Sequence, residues 1–204
     1  MSGKRVLVVE DEFMDHVKGF LGRRKDKRDY MVDIATSYWS AIAMVRSIGY
    51  DGLITDCFFP AGNSEDGRQM AEEYYSHAFD EIEGGGCWEY MVGKLRFPGD
   101  RRRTKALFDE NLTHDYTKKE GYFRFVRHIM EREPSDPMPL GPMLADRMGV
   151  PTVIATRSHH HEIEPVFILA ANRGWWLLDC GEKDQDWFWD RVFRTLETQM
   201  ERSK

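Results

Sequence analysis

Apolar positions divide the chain into short buried strands and amphipathic helices that alternate. Residues Arg5 to Val9 (RVLVV) form a β-branched run without polar alternation, the pattern of a parallel strand covered on both faces. The run ends in Glu10-Asp11-Glu12. Phe13, Val17, Phe20 and Leu21 then recur at helical spacing and predict a helix to about residue 22. A basic turn from Arg23 to Arg28 leads into a short strand over Tyr30 to Ala35. Tyr38, Ile42 and Val45 mark a second helix, closed by Gly49. A third strand, Leu53-Ile54-Thr55, stops at Asp56 within the segment YDGLITDCFFP.

The alternation breaks after Pro60. AGNSEDG is a turn-rich loop, residues 66 to 82 read as an acidic helix, and EGGG follows at 83 to 86. Lys94 to Lys105 is basic. Tyr122, Phe125, Val126, Ile129 and Met130 form the apolar face of a helix over 118 to 132, which must pack on something to be stable. Beyond a proline-rich joint, Leu140, Met143, Leu144 and Met148 predict a compact helix capped by Gly149. The strand PTVIAT opens at Pro151. Ile163, Val166, Phe167 and Ala170 suggest a helix, Gly174 a turn and WWLLD a last strand. A terminal helix carries Trp189, Val192, Phe193 and Leu196 on one face. With roughly residues 61 to 138 set aside, the rest is a five-strand α/β alternation, which right-handed crossovers would wind into one parallel sheet.

A length of 204 residues suits one large domain or one domain with an insertion, and 41% hydrophobic content supplies a core. The net charge of −6 implies no nucleic-acid surface. Cys57, Cys87 and Cys180 lack paired metal-ligand spacing, and their odd number argues against a disulfide framework. A reducing, cytoplasmic setting is the simplest expectation. No apolar run approaches the roughly 18 residues of a membrane span. The opening MSGKRVLVVEDE reads as an early strand and not as a secretion signal.

Two strands end in acids, Glu10-Asp11 and Asp56. Adjacent parallel strands would gather these carboxylates at the carboxyl edge of the sheet, where open α/β folds build their sites. Like charges at close range call for a cation, and oxygen ligands of this kind suit Mg²⁺, which partners phosphate groups. The plainer alternative is that the acids cap helices or sit solvated on loops.

KRVLVVEDE resembles the opening of the receiver domain of bacterial response regulators. YDGLITDCFFP is similar to that family's phosphoacceptor strand, an Asp with Pro four residues on, and VPTVIAT to its fourth strand, which ends in Thr or Ser. The resemblance spans two blocks, roughly residues 4 to 60 and 139 to 198. It implies a flavodoxin-like, doubly wound five-stranded parallel sheet, with a helical insertion (61–138) after the third strand of a single domain (1–204). It further implies that Asp56 accepts a phosphoryl group and that Glu10, Asp11, Asp56 and the Phe58 carbonyl hold Mg²⁺. Thr156 would hydrogen-bond the phosphoryl oxygens. A histidine kinase and other protein partners are the expected company.

The family's fifth strand ends in a lysine that pairs with the phosphoryl group. Aligning GWWLLDCGEKDQDW from Gly174 puts Gly181 at that place and Lys183 two residues late, where a slightly longer loop could still deliver it; otherwise the readout is broken. The aromatic switch residue is not recognisable: Leu178 or Cys180 occupies its position. The insertion borders the Asp56 edge, as a helical decoration, a lid or a docking surface. Arg101-Arg102-Arg103 could contact phosphates or form a solvated face. His159-His160-His161 follow the fourth strand, where one or two could bind a transition metal or shuttle protons, or simply line a polar loop capped by Ser158. Cys57 should be buried beside Asp56. Three readings result: a phosphorylated receiver, a pseudo-receiver scaffold that never takes the group, and a metal-dependent hydrolase using Asp11, Asp56 and one of His159 to His161.

Overall fold

The computed structural model of the chain describes residues 3–23, 30–62, 67–84, 119–133, 136–156, 164–179 and 182–203. Five strands, β1 (Lys4–Val9), β2 (Tyr30–Ala35), β3 (Gly52–Thr55), β4 (Thr152–Thr156) and β5 (Trp176–Asp179), pair in parallel in the order β2-β1-β3-β4-β5. The alternation predicts the parallel α/β sheet, and this strand order is the flavodoxin-like arrangement that the resemblance implies. The described helices are α1 (Met14–Arg23), α2 (Tyr38–Ser47), α3 (Gly67–Gly84), α4 (Lys119–Glu131), α5 (Gly141–Met148), α6 (Glu164–Arg173) and α7 (Asp186–Arg202). No helix among the described residues is long and apolar enough to cross a membrane.

Alternate strand residues feed two cores. Val6, Val8, Ile54, Val153, Ala155 and Leu178 meet α1 and α7 on one face, where Phe20 stacks on Phe193 with ring centroids 5.8 Å apart. Leu7, Val9, Leu53, Ile154 and Leu177 meet α2, α5 and α6 on the other. The inner strands β1, β3 and β4 are buried on both sides, which is why their sequences show runs and not an alternation, whereas the edge strand β2 leaves Met31 52% exposed. Burying one such aliphatic or aromatic side chain contributes about 1.5–3 kcal/mol. Leu178, which shares the expected aromatic-switch position with Cys180 as alternatives, is a buried part of the first core.

Local chemistry sets the helix ends. Ser37 starts α2 in a reciprocal cap: its Oγ accepts the Ser40 N–H, and its own N–H donates to Ser40 Oγ at 3.0 Å. The helix closes at Ile48, in extended conformation, and not through Gly49 as expected. The Ile48 N–H donates to the Met44 carbonyl at 2.9 Å, and the chain runs on toward β3 without a left-handed residue. Gly149, at φ +62, ends α5 as the sequence predicts.

The inserted stretch enters and leaves through one backbone pairing. Phe59 and Met138 exchange N–H···O bonds of 3.1 Å each in an antiparallel bridge. Beyond it, α3 packs on α4, with Tyr75 edge-on to Phe125 at 4.9 Å. Both rings join the core under β3 and α5. Tyr75 also donates its buried hydroxyl to the Pro139 carbonyl at 2.8 Å. Phe125 and Ile129 are buried as expected, whereas Met130, placed on the same face by spacing, is 39% exposed. The basic stretch 94–105, Arg101 to Arg103 within it, Cys87, Ser158, His159 to His161, Cys180 and Gly181 lie outside the described residues.

Candidate functional site

Strand register brings the acids together. Val9 pairs with Thr55, so Glu10 and Asp56, each one residue further on, come level on neighbouring strands. The ladder continues past both strand ends: the Asp56 N–H donates to the Val9 carbonyl at 2.9 Å, and the Glu10 N–H to the Ala35 carbonyl at 3.0 Å. One carboxylate oxygen from each of Glu10, Asp11 and Asp56 lies within 4.8 Å of the others.

Lys183 completes the cluster. Its Nζ donates to Glu10 Oε2 at 2.8 Å and to Asp56 Oδ2 at 2.5 Å. The lysine side chain is fully buried, Glu10 is 1% exposed and Asp56 13%. The loop after β5 thus carries the ammonium to the carboxylates, although Lys183 sits two residues beyond the position expected from alignment. Phe13 lies along the same group, its ring centroid 5.9 Å from Nζ.

The remaining oxygens are also engaged. Glu10 Oε1 accepts the backbone N–H groups of Glu12 at 3.2 Å and Phe13 at 3.1 Å. Asp56 Oδ1 accepts the Cys57 N–H at 2.6 Å. Glu10 therefore has both oxygens bound within the protein, while Asp11 lies half-buried at the rim.

Burial raises the Asp56 carboxyl to about 6, against the pull of Lys183 and with a further push from Glu10. Burial and the Glu10 charge raise Asp11 as well. Burial alone would lower the Lys183 ammonium, but Asp56 and Glu10 outweigh it and the net shift is upward. A charged lysine among three carboxylates leaves an excess of negative charge at the edge of the sheet.

That excess and the all-oxygen donor set fit a hard divalent cation. Asp11 and Asp56 are the residues placed to hold it, with Glu10 tied to Lys183 and to backbone. Phe58 lies two residues past Asp56, half-buried, with the Arg132 guanidinium 5.1 Å from its ring centroid. Thr156 ends β4, buried; since Thr55 pairs with Ile154, Ala155 comes level with Asp56 and Thr156 stands one step beyond. Cys57 is buried on the core side, as expected from its place in the strand.

Two contributors escaped the sequence reading. Gly141, at the start of α5, donates its N–H to the Cys57 carbonyl at 3.1 Å. A Cβ there would stand 2.1 Å from the Asp56 carbonyl oxygen, so only glycine fits. The Gly-Pro pair opening that helix was the visible signal. Trp189 donates its indole N–H to the Lys183 carbonyl at 2.6 Å. Helical spacing marks Trp189 as core and says nothing of its polar edge.

Compared with protein-family models and with curated proteins, the sequence matches none.

Proposed function

We propose that the chain is a receiver-like signalling domain in which Asp56 accepts a phosphoryl group and protein partners read the result. The observation that carries this reading is the Lys183 ammonium bridging Asp56 and Glu10 beside Asp11. Phosphoryl transfer asks for positioned charge more than for covalent help from the protein.

In the proposed reaction an Asp56 carboxylate oxygen attacks phosphorus in line with the leaving group. The bond from phosphorus to the donor breaks, at oxygen in a small acyl phosphate or at imidazole nitrogen in a phosphohistidine; the donor leaves with that electron pair, and an acyl phosphate forms on Asp56. Lys183 balances charge on the phosphoryl oxygens, and the Thr156 hydroxyl hydrogen-bonds one of them. Asp11 and Asp56 would hold Mg²⁺, with the Phe58 carbonyl as a further ligand, and the ion would supply charge neutralisation between carboxylate and phosphate. The exposed part of Asp56 is the route of attack. A histidine kinase would be the physiological donor, in the cytoplasm.

The second reading is the pseudo-receiver scaffold. It is favoured by the internal pairing of Lys183 with both acids and by the lack of an aromatic residue at the switch position, held by Leu178 or Cys180. Incubation with a small acyl phosphate and Mg²⁺, followed by intact mass measurement, separates the two. Gain of one phosphoryl group, lost in Asp56→Asn, supports the acceptor. No adduct at all favours the scaffold. The hydrolase reading, whose histidines lie outside the described residues, requires turnover that chelation abolishes.

A further inference from the structure

We infer that Trp189 is a positioning residue, fixing through its indole N–H the turn that aims Lys183 at Asp56 and Glu10. The inference rests on the reading of Asp56 as phosphoacceptor and concerns how this chain places its lysine.

Strand β5 ends at Asp179, paired with Thr156. Lys183 comes four residues later, in a turn where the Gln185 N–H donates to the Glu182 carbonyl at 3.0 Å, immediately before α7. The parallel ladder that fixes Glu10 and Asp56 does not extend to this turn. Something else must hold the lysine backbone, because an ammonium with contacts of 2.8 and 2.5 Å loses both if its stem moves by about an ångström.

Trp189 supplies that hold. It is 1% exposed and packs among the apolar residues of α7, with Phe188 edge-on at 5.2 Å. An indole has a single polar hydrogen, and a buried one needs an acceptor. Here the acceptor is the Lys183 carbonyl, at 2.6 Å. The rigid ring thereby ties the turn to the core that α7 forms against the sheet. Trp189 touches neither carboxylate, so any effect it has on Asp56 chemistry passes through Lys183.

The test is a double-mutant cycle on the full chain. Wild type, W189F, K183A and the double variant are phosphorylated with a small acyl phosphate and Mg²⁺, and rates are read by intact mass. Misplacement of a catalytic group by about an ångström costs on the order of a hundredfold in rate. W189F is expected to slow the reaction by roughly ten- to a hundredfold, and K183A by more. The double variant should be no slower than K183A, because the indole has nothing left to position. Multiplicative slowing in the double variant, or a wild-type rate in W189F, overturns the inference. Trp189→Met, an adaptable apolar side chain without a polar hydrogen, replaces W189F should the phenyl ring leave the chain unfolded.

If the wild-type chain takes no phosphoryl group, the acceptor reading fails. The same four proteins then decide the inference by urea unfolding. Non-additive midpoints sustain the link between indole and lysine, and additive midpoints overturn it.

Discussion

Replacing Lys183 by methionine keeps an unbranched apolar stem and removes the ammonium that Glu10 and Asp56 share at 2.8 and 2.5 Å. Removing one partner of a buried ion pair costs about 3–5 kcal/mol when the other charge stays buried. The cost depends on pH, because Asp56 can escape its charge by binding a proton. Its carboxyl stands at about 6 in the folded chain, and Lys183 is what keeps it from rising further. In the variant the folded value climbs above that. A carboxyl raised in the folded state stabilises most at low pH, and its contribution is lost as pH rises through the folded value. Both proteins hold a neutral Asp56 at pH 5, so the variant should there be weaker by only about 1–2 kcal/mol, from the lost pairing with Glu10. Above pH 6 the wild type ionises against Lys183 while the variant resists. The deficit then grows by about 1.4 kcal/mol per pH unit, toward about 3–5 kcal/mol at pH 8. Urea unfolding at pH 5 and pH 8 with a chelator present measures both ends. A deficit that is equal at the two pH values would refute the assignment of Lys183 as the neutralising charge. Mg²⁺ should recover more stability in the variant than in the wild type, since it takes over that role.

Magnesium binding itself should follow Asp56. A proton competes with the ion, so affinity by calorimetry should fall about tenfold between pH 7.5 and pH 5, as ionisation is lost through about 6; a pH-independent affinity contradicts the ligand assignment. Gly141→Ala forces a Cβ to 2.1 Å from the Asp56 carbonyl and should cost about 1–3 kcal/mol in urea unfolding while also weakening Mg²⁺ binding. Wild-type values for both would show that the start of α5 can move away freely. Tyr75→Phe removes the hydroxyl that satisfies the Pro139 carbonyl and should lower stability by about 1–2 kcal/mol without changing the phosphorylation rate. A changed rate would place Tyr75 in the site and not only in the core.

The strands were legible because burial on both faces leaves a mark in one dimension. RVLVV, LIT and TVIAT are runs whose ends coincide with the edge where the carboxylates lie. Parallel order then puts Glu10 beside Asp56 with no further information. Lys183 was harder. Its delivery depends on the turn at 182–185 and on an indole hydrogen bond, neither of which leaves a periodic trace. Gly141 illustrates the same limit. Its sequence neighbours mark a helix start, but the need for a bare Cα comes from a backbone far away in the chain. Met130 shows the opposite failure: helical spacing assigns it to the buried stripe, and the width of the stripe against α3 leaves it at the rim.

The bridge between Phe59 and Met138 brings the two ends of a long excursion to a single crossing point. Because the knot is already tied there, chain length beyond it is nearly free: doubling the length of a flexible loop adds only about 0.6 kcal/mol of closure entropy. Length added beyond the bridge leaves strand order and the placement of the acids as they are, provided Tyr75 and Phe125 keep their places in the core. Any such addition enters through one doorway, three residues past the carboxylate on which the proposed chemistry turns.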